Sequence, residues 1–74
     1  MPRYFFDIDD GKRRARDEWG MELLNLDKVK NEVNSLLRTL AEVRQIEKRP
    51  GATMVRVRDA SGEEVYEGLT HVEV

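Results

Sequence analysis

The chain of 74 residues contains no cysteine, one histidine and no apolar run near the ~20 residues that span a bilayer. The first absence excludes disulfides and every zinc site built on thiolates, so a chain this short is left to its core for stability. The second leaves His71 without a nucleophile to activate, because Ser35 and Ser61 fall on a helix and in a turn. A passive surface histidine, no catalytic group, no metal site and no cofactor are the expectation. An excess of either charge is missing too: 13 basic and 15 acidic residues are interspersed, for a net charge of −2. Nucleic acids and anionic membranes are bound through a clear positive excess, so neither is an expected partner. Polar residues from Asp7 onward interrupt the apolar opening, which argues against a signal peptide and for a cytoplasmic location.

What is present suits one small domain over residues 1–74, with hydrophobic residues at 39% and charged residues at 38%. Arg3 to Asp9 alternates as a strand, with Tyr4, Phe6 and Ile8 on one face and Phe5 and Asp7 on the other. Asp9-Asp10-Gly11-Lys12 signals a turn, since Gly11 accepts the positive φ that hairpin loops need. Lys12 to Asp17 then predicts a short, charged return strand at a sheet edge. In the connection from Glu18 to Leu24, Trp19 or Leu23 is placed to close one end of the core.

A long amphipathic helix follows, from about Asn25 to Lys48. Asn25 is a good N-cap. Leu26, Val29, Val33, Leu36, Leu40 and Val43 recur at steps of three and four. Leu37 and Ala41 widen this stripe to roughly 160°, which suits packing on a sheet better than a coiled-coil seam. Arg44, Lys48 and Arg49 sit where cations favour a helix C-terminus, and Pro50-Gly51 stops it. Thr53 to Asp59 and Glu64 to Leu69 form a second hairpin across Asp59-Ala60-Ser61-Gly62, with Thr70 to Val74 free to extend it or fray. If Asp59 opposes Glu63, Val57 opposes Val65 and Arg56 faces Tyr66. The order β-β-α-β-β predicts an α+β fold: a four-stranded, mainly antiparallel sheet with one long helix packed on one face. The helix-facing set is then Tyr4, Phe6, Ile8, Val55, Val57, Val65 and Leu69.

Several segments run in the order seen in a known family. They are Met1-Pro2-Arg3-Tyr4-Phe5-Phe6, the Asp10-Gly11 turn, Asp17-Glu18-x-Gly20-x-Glu22-Leu23, Leu26 just after a cap, and Val57-x-Asp59-x-x-Gly62. Over nearly its whole length the chain resembles a family of small bacterial proteins of unknown function, the opening string being the most specific part. The family commonly has His in place of Asp7, Asp in place of Asn25 and an Ala-rich helix. The resemblance implies domain boundaries and no activity.

Two motifs that look chemical fail on inspection. Phe6-Asp7-Ile8-Asp9-Asp10-Gly11 is similar to the strand-end carboxylates of haloacid-dehalogenase-type phosphotransferases. Asp10 breaks that motif, however, and 74 residues cannot house its distant partners. An EF-hand loop fails as well, for want of a Glu at its twelfth position. Lys12, Arg13, Arg14 and Arg16 form the one basic concentration, a candidate anion contact that Asp9, Asp10, Asp17 and Glu18 bracket. More is expected of the sheet face turned away from the helix, where Phe5, Met54, Arg56 and Tyr66 would make an apolar patch with a charged rim. A non-enzymatic module that self-associates as a homodimer, or binds another protein there, is the leading expectation. A merely solvated face comes second, and a nucleic-acid binder using Lys12–Arg16 with Arg56 and Arg58 third.

Overall fold

A computed structural model describes residues 1–74 as one antiparallel sheet with one helix on one face, the α+β arrangement that the sequence predicts. Its strands are β1 (Arg3–Asp9), β2 (Arg14–Ala15), β3 (Met21–Glu22), β4 (Gly51–Asp59) and β5 (Glu64–Val72), and its helix α1 is Leu26–Glu47. The order across the sheet is β2-β1-β4-β5, with β3 sharing the outer edge of β1 with β2. There are five strands rather than four because the return segment is interrupted. It pairs Ile8 with Ala15, leaves β1 after Ala15, and rejoins it only where Tyr4 meets Met21. The tail extends β5 to Val72, and β4 starts at Gly51 instead of Thr53. No helix is long and apolar enough to cross a membrane.

Helix α1 begins as its cap residue dictates: Asn25 Oδ1 accepts from the N–H of Lys28 at 3.1 Å. Its end is less ordinary. Lys48 takes the left-handed conformation at φ 56°, the N–H of Arg49 reaches back to Arg44 O, and the N–H of Lys48 reaches Gln45 O. This is the closure glycine normally makes, so a β-carbon is carried where it costs about 1 kcal/mol.

The core lies between α1 and the middle of the sheet, where Val29, Val33 and Leu37 meet Val55, Val57, Tyr4 and Phe6. The helix rests on β4 and β5. It settles on β5 because of Gly68, where a β-carbon would stand 2.6 Å from Val33 Cγ1 and 2.9 Å from Leu37 Cδ1. The expected stripe is shifted accordingly: Leu36 and Leu40 are only partly covered, and Leu26 and Val43 are exposed. The buried line Val29–Val33–Leu37 continues into Arg44, at 5% exposure.

Arg44 therefore does more than face the helix dipole. Its Nε donates to Thr53 Oγ1 at 2.9 Å, Nη1 to the carbonyls of Arg49 (3.3 Å) and Pro50 (3.0 Å), and Nη2 to those of Asp10 (2.8 Å) and Ala52 (3.1 Å). A guanidinium has five N–H donors, and all of them are used.

The second hairpin corrects the expected register. Asp59 N–H does bond to Glu63 O at 2.8 Å, but a bulge follows between Val57 and Arg58. Val57 consequently opposes Tyr66, Arg56 opposes Glu67 and Met54 opposes Leu69. The extra residue flips the faces. Tyr66 packs on the helix side, with the Lys30 ammonium 5.9 Å from its ring centroid, and Leu69 leaves the helix-facing set for the open face.

Two stability predictions follow from this architecture. Lys48→Gly should raise the free energy of unfolding by about 1 kcal/mol in urea melts, by relieving the left-handed residue. Arg44→Lys keeps the charge but cannot reach four carbonyls and a hydroxyl; a loss of about 2–4 kcal/mol is expected in the same melts.

Candidate interaction surface

On the face that α1 leaves open, the register sets side chains in three rows across β1, β4 and β5: Asp9–Met54–Leu69, Asp7–Arg56–Glu67 and Phe5–Arg58–Glu64. The three rows differ in chemistry.

The Phe5 row is closed by the interruption between β2 and β3. Asp17, inside that interruption, uses its side chain as a strand would use its backbone. Its Oδ2 accepts from Phe6 N–H at 3.1 Å, and its Oδ1 accepts from the N–H groups of Trp19 (3.0 Å) and Gly20 (3.1 Å). The Asp17 N–H in turn donates to Asp7 Oδ1 at 2.9 Å. Arg58 completes the group through Nε to Asp7 Oδ2 at 2.8 Å and Nη2 to Asp17 O at 2.6 Å, with its guanidinium carbon 4.7 Å from the centroid of the Phe5 ring. Gly20 lies against this assembly at φ +72°, where a β-carbon would stand 2.9 Å from each of Arg3 Cγ, Phe5 Cε2 and Tyr4 O. The Asp17-Glu18-x-Gly20 string is thus a plug on the outer edge of β1.

Charge follows from these contacts. Burial pushes the Asp7 carboxyl up, but the Arg58 hydrogen bond, the Asp17 N–H and the charges of Arg58 and Arg16 outweigh it, leaving Asp7 below the usual aspartate range. Burial likewise opposes ionisation of Asp17, and the N–H groups of Gly20, Phe6 and Trp19, with Arg58, hold it low. Arg58 is raised by the Asp7 hydrogen bond. Both carboxylates are committed as acceptors, and neither is poised to exchange protons near neutrality.

In the Asp7–Arg56–Glu67 row Asp7 is turned to Arg58, and Arg56 forms a solvent-exposed cluster with its Nε 3.4 Å from Glu67 and 3.7 Å from Glu64. The Asp9 row is different. Asp9 is engaged by Arg14 Nε at 3.1 Å, which leaves Met54 beside Leu69, and Leu69 is 60% exposed. Of the expected interface residues, then, Phe5, Met54 and Arg56 share the open face. Tyr66 does not, and Leu69 takes its place.

The basic segment is dispersed. Lys12 and Arg13 lie in the first turn, where Asp10 Oδ1 accepts both their N–H groups. Arg14 is in β2, and Arg16 lies beyond it in the interruption. Arg14, Arg16 and Arg56 do line one shallow recess, but Asp7 and Asp9 line it with them. Arg58 is occupied by Asp7 and Asp17 and does not converge with that segment on a free surface. Trp19 does not plug the core: it is 84% exposed, its carbonyl held by Arg3 Nη1 at 2.8 Å, and Leu23 packs against the core instead. His71 is an exposed residue of β5, and no three His, Asp or Glu side chains stand close enough to hold a metal ion.

An open antiparallel sheet under one helix, with one edge plugged by an aspartate and an uncovered apolar pair near the other, defines a small α+β domain. The chain belongs to the family described as Domain of unknown function (DUF6894), whose model matches residues 3–69. No curated protein and no solved structure matches it.

The plug makes a pH prediction. Because Asp7 and Asp17 titrate lower in the folded than in the unfolded chain, their contribution is complete above the unfolded value of about 3.9 and is lost as pH falls through the folded values. Urea midpoints should therefore be level near neutrality and drop below about pH 4. Asp17→Asn should make that acid limb shallower without abolishing it, since Asp10 and Asp59 are also held low, by backbone N–H groups and by Ser61 respectively.

Proposed function

We propose that this domain is a non-enzymatic interaction module that binds a second copy of itself at the β5 side of its open sheet face. The observation that carries the reading is the Met54–Leu69 pair: two apolar side chains opposed across β4 and β5, one of them mostly bare, on a face nothing in the chain covers. Small domains gain little core from their own length, and bringing such a pair against its copy removes part of it from water. The surrounding charge is self-complementary. Arg56 stands between Glu64 and Glu67, so a second copy brings both signs to the contact. Asp7 and Asp17 are fully engaged in holding the plug, which supports binding over acid–base chemistry.

Sedimentation equilibrium from ten to several hundred micromolar tests the reading. Reversible association weakened at least tenfold by Leu69→Glu, with the circular dichroism spectrum unchanged, is expected. A wild-type chain that stays monomeric over that whole range would refute it.

A further inference from the structure

The two margins of the sheet are not alike. One is plugged by Asp17, whose carboxylate accepts from the Phe6 N–H of β1 between two short strands. The other is β5, nine residues long and terminal in the strand order, with no proline or lysine along it. Natural sheets normally blunt an edge of that length, because its free N–H and C=O groups template another strand; here the bulge and Glu64 protect the start of β5, and the stretch from Glu67 to Val72 carries one charge, that of Glu67.

Resting on the self-association proposed above, we infer its geometry: two copies join by antiparallel pairing of β5 with β5 about a two-fold axis at Leu69, normal to the sheet. The register is chosen by the side chains. Antiparallel neighbours about such an axis share a face, so the axis passes through a residue and every pair has an even sum. Centred on Glu67, the strands set Glu67 against its own copy. Centred on Thr70, they set Glu67 against Glu73 of the second copy. Centred on Gly68, they leave Glu67 opposite Leu69, a carboxylate on an apolar side chain. Centred on Leu69, they place Leu69 on Leu69, Glu67 opposite His71, Gly68 opposite Thr70 and Tyr66 opposite Val72. Like charges are then apart, each imidazole can donate to a carboxylate, and the two Met54–Leu69 pairs fuse into one apolar band across the axis.

The helices tolerate this pairing. Because α1 rests on β4 and β5 together, two helices carried by strands about 4.8 Å apart stand roughly 8–10 Å from one another, an ordinary packing distance. At about 100° per residue, Asn34, Ala41 and Gln45 share with Lys30 the flank that overhangs Tyr66, while Leu37 beside them is turned into the core. Asn34 and Ala41 are short and the exposed Lys30 and Gln45 are flexible, which leaves room for the second helix.

The lack of native cysteine gives a clean test. In this register Leu69→Cys puts two thiols on opposed residues, with α-carbons about 4.5–5.5 Å apart and within disulfide range. Glu67→Cys puts its two copies about 13 Å apart, out of range, but within range of His71→Cys in a mixed sample. The expected result under mild oxidation is a covalent dimer from L69C alone, none from E67C or H71C alone, and a mixed dimer from those two together. If wild type is dimeric by sedimentation yet L69C does not link, or E67C links as readily, the pairing centred on Leu69 is overturned while self-association stands. Wild type that is monomeric at several hundred micromolar overturns both.

Discussion

The guanidinium of Arg44 is the point on which three otherwise separate pieces of backbone depend. It gathers the carbonyls of Asp10, Arg49, Pro50 and Ala52 and the hydroxyl of Thr53, so the first turn, the helix end and the start of β4 are fixed by one group. No carboxylate makes an ion pair with this nearly buried cation; oriented peptide dipoles take that part. A buried charge of this kind is stable only when every donor is matched, which explains the tight course of the chain around it. Without that anchorage α1 would have only its apolar stripe to set its position along the sheet.

A second polar device works at the opposite end of β1. Asp17, Asp7 and Arg58 hold the chain against the sheet through side chains where a continuous return strand would use its ladder. The two devices share a logic. In a domain with a small apolar core, ionised groups with fully matched hydrogen bonds define the backbone path at the sheet's ends, and the valines, Tyr4 and Phe6 fill the middle.

Much of this was legible in the sequence. The alternation of Arg3 to Asp9, the Asn25 cap and the Asp59–Gly62 turn each carry a local physical signal, and the elements they announce are present. The misplaced residues share a cause: their orientation is decided by something non-local. In Glu64 to Val72 the apolar residues are split between both parities, so alternation cannot reveal the bulge that sends Tyr66 to the helix and Leu69 to the open face. Gly68 was the available clue, a residue without a side chain where the helix comes closest. Arg44 read as a partner of the helix dipole, although it lies seven residues beyond Leu37, in phase with the buried line. Trp19 read as a plug on size alone, and no periodicity could show that an aspartate two residues earlier had already closed that edge.

The Asp17 plug has a consequence for growth of the sheet. A sheet with two free margins can add copies without limit and run on into fibres. Here one margin is broken into two two-residue strands around the chain's own carboxylate, so joining two copies at the other would leave only short, interrupted edges. In the edge-paired dimer proposed above, the interruption that looks like an imperfection in the first hairpin would act as a chain terminator for assembly, holding the largest sheet to two copies.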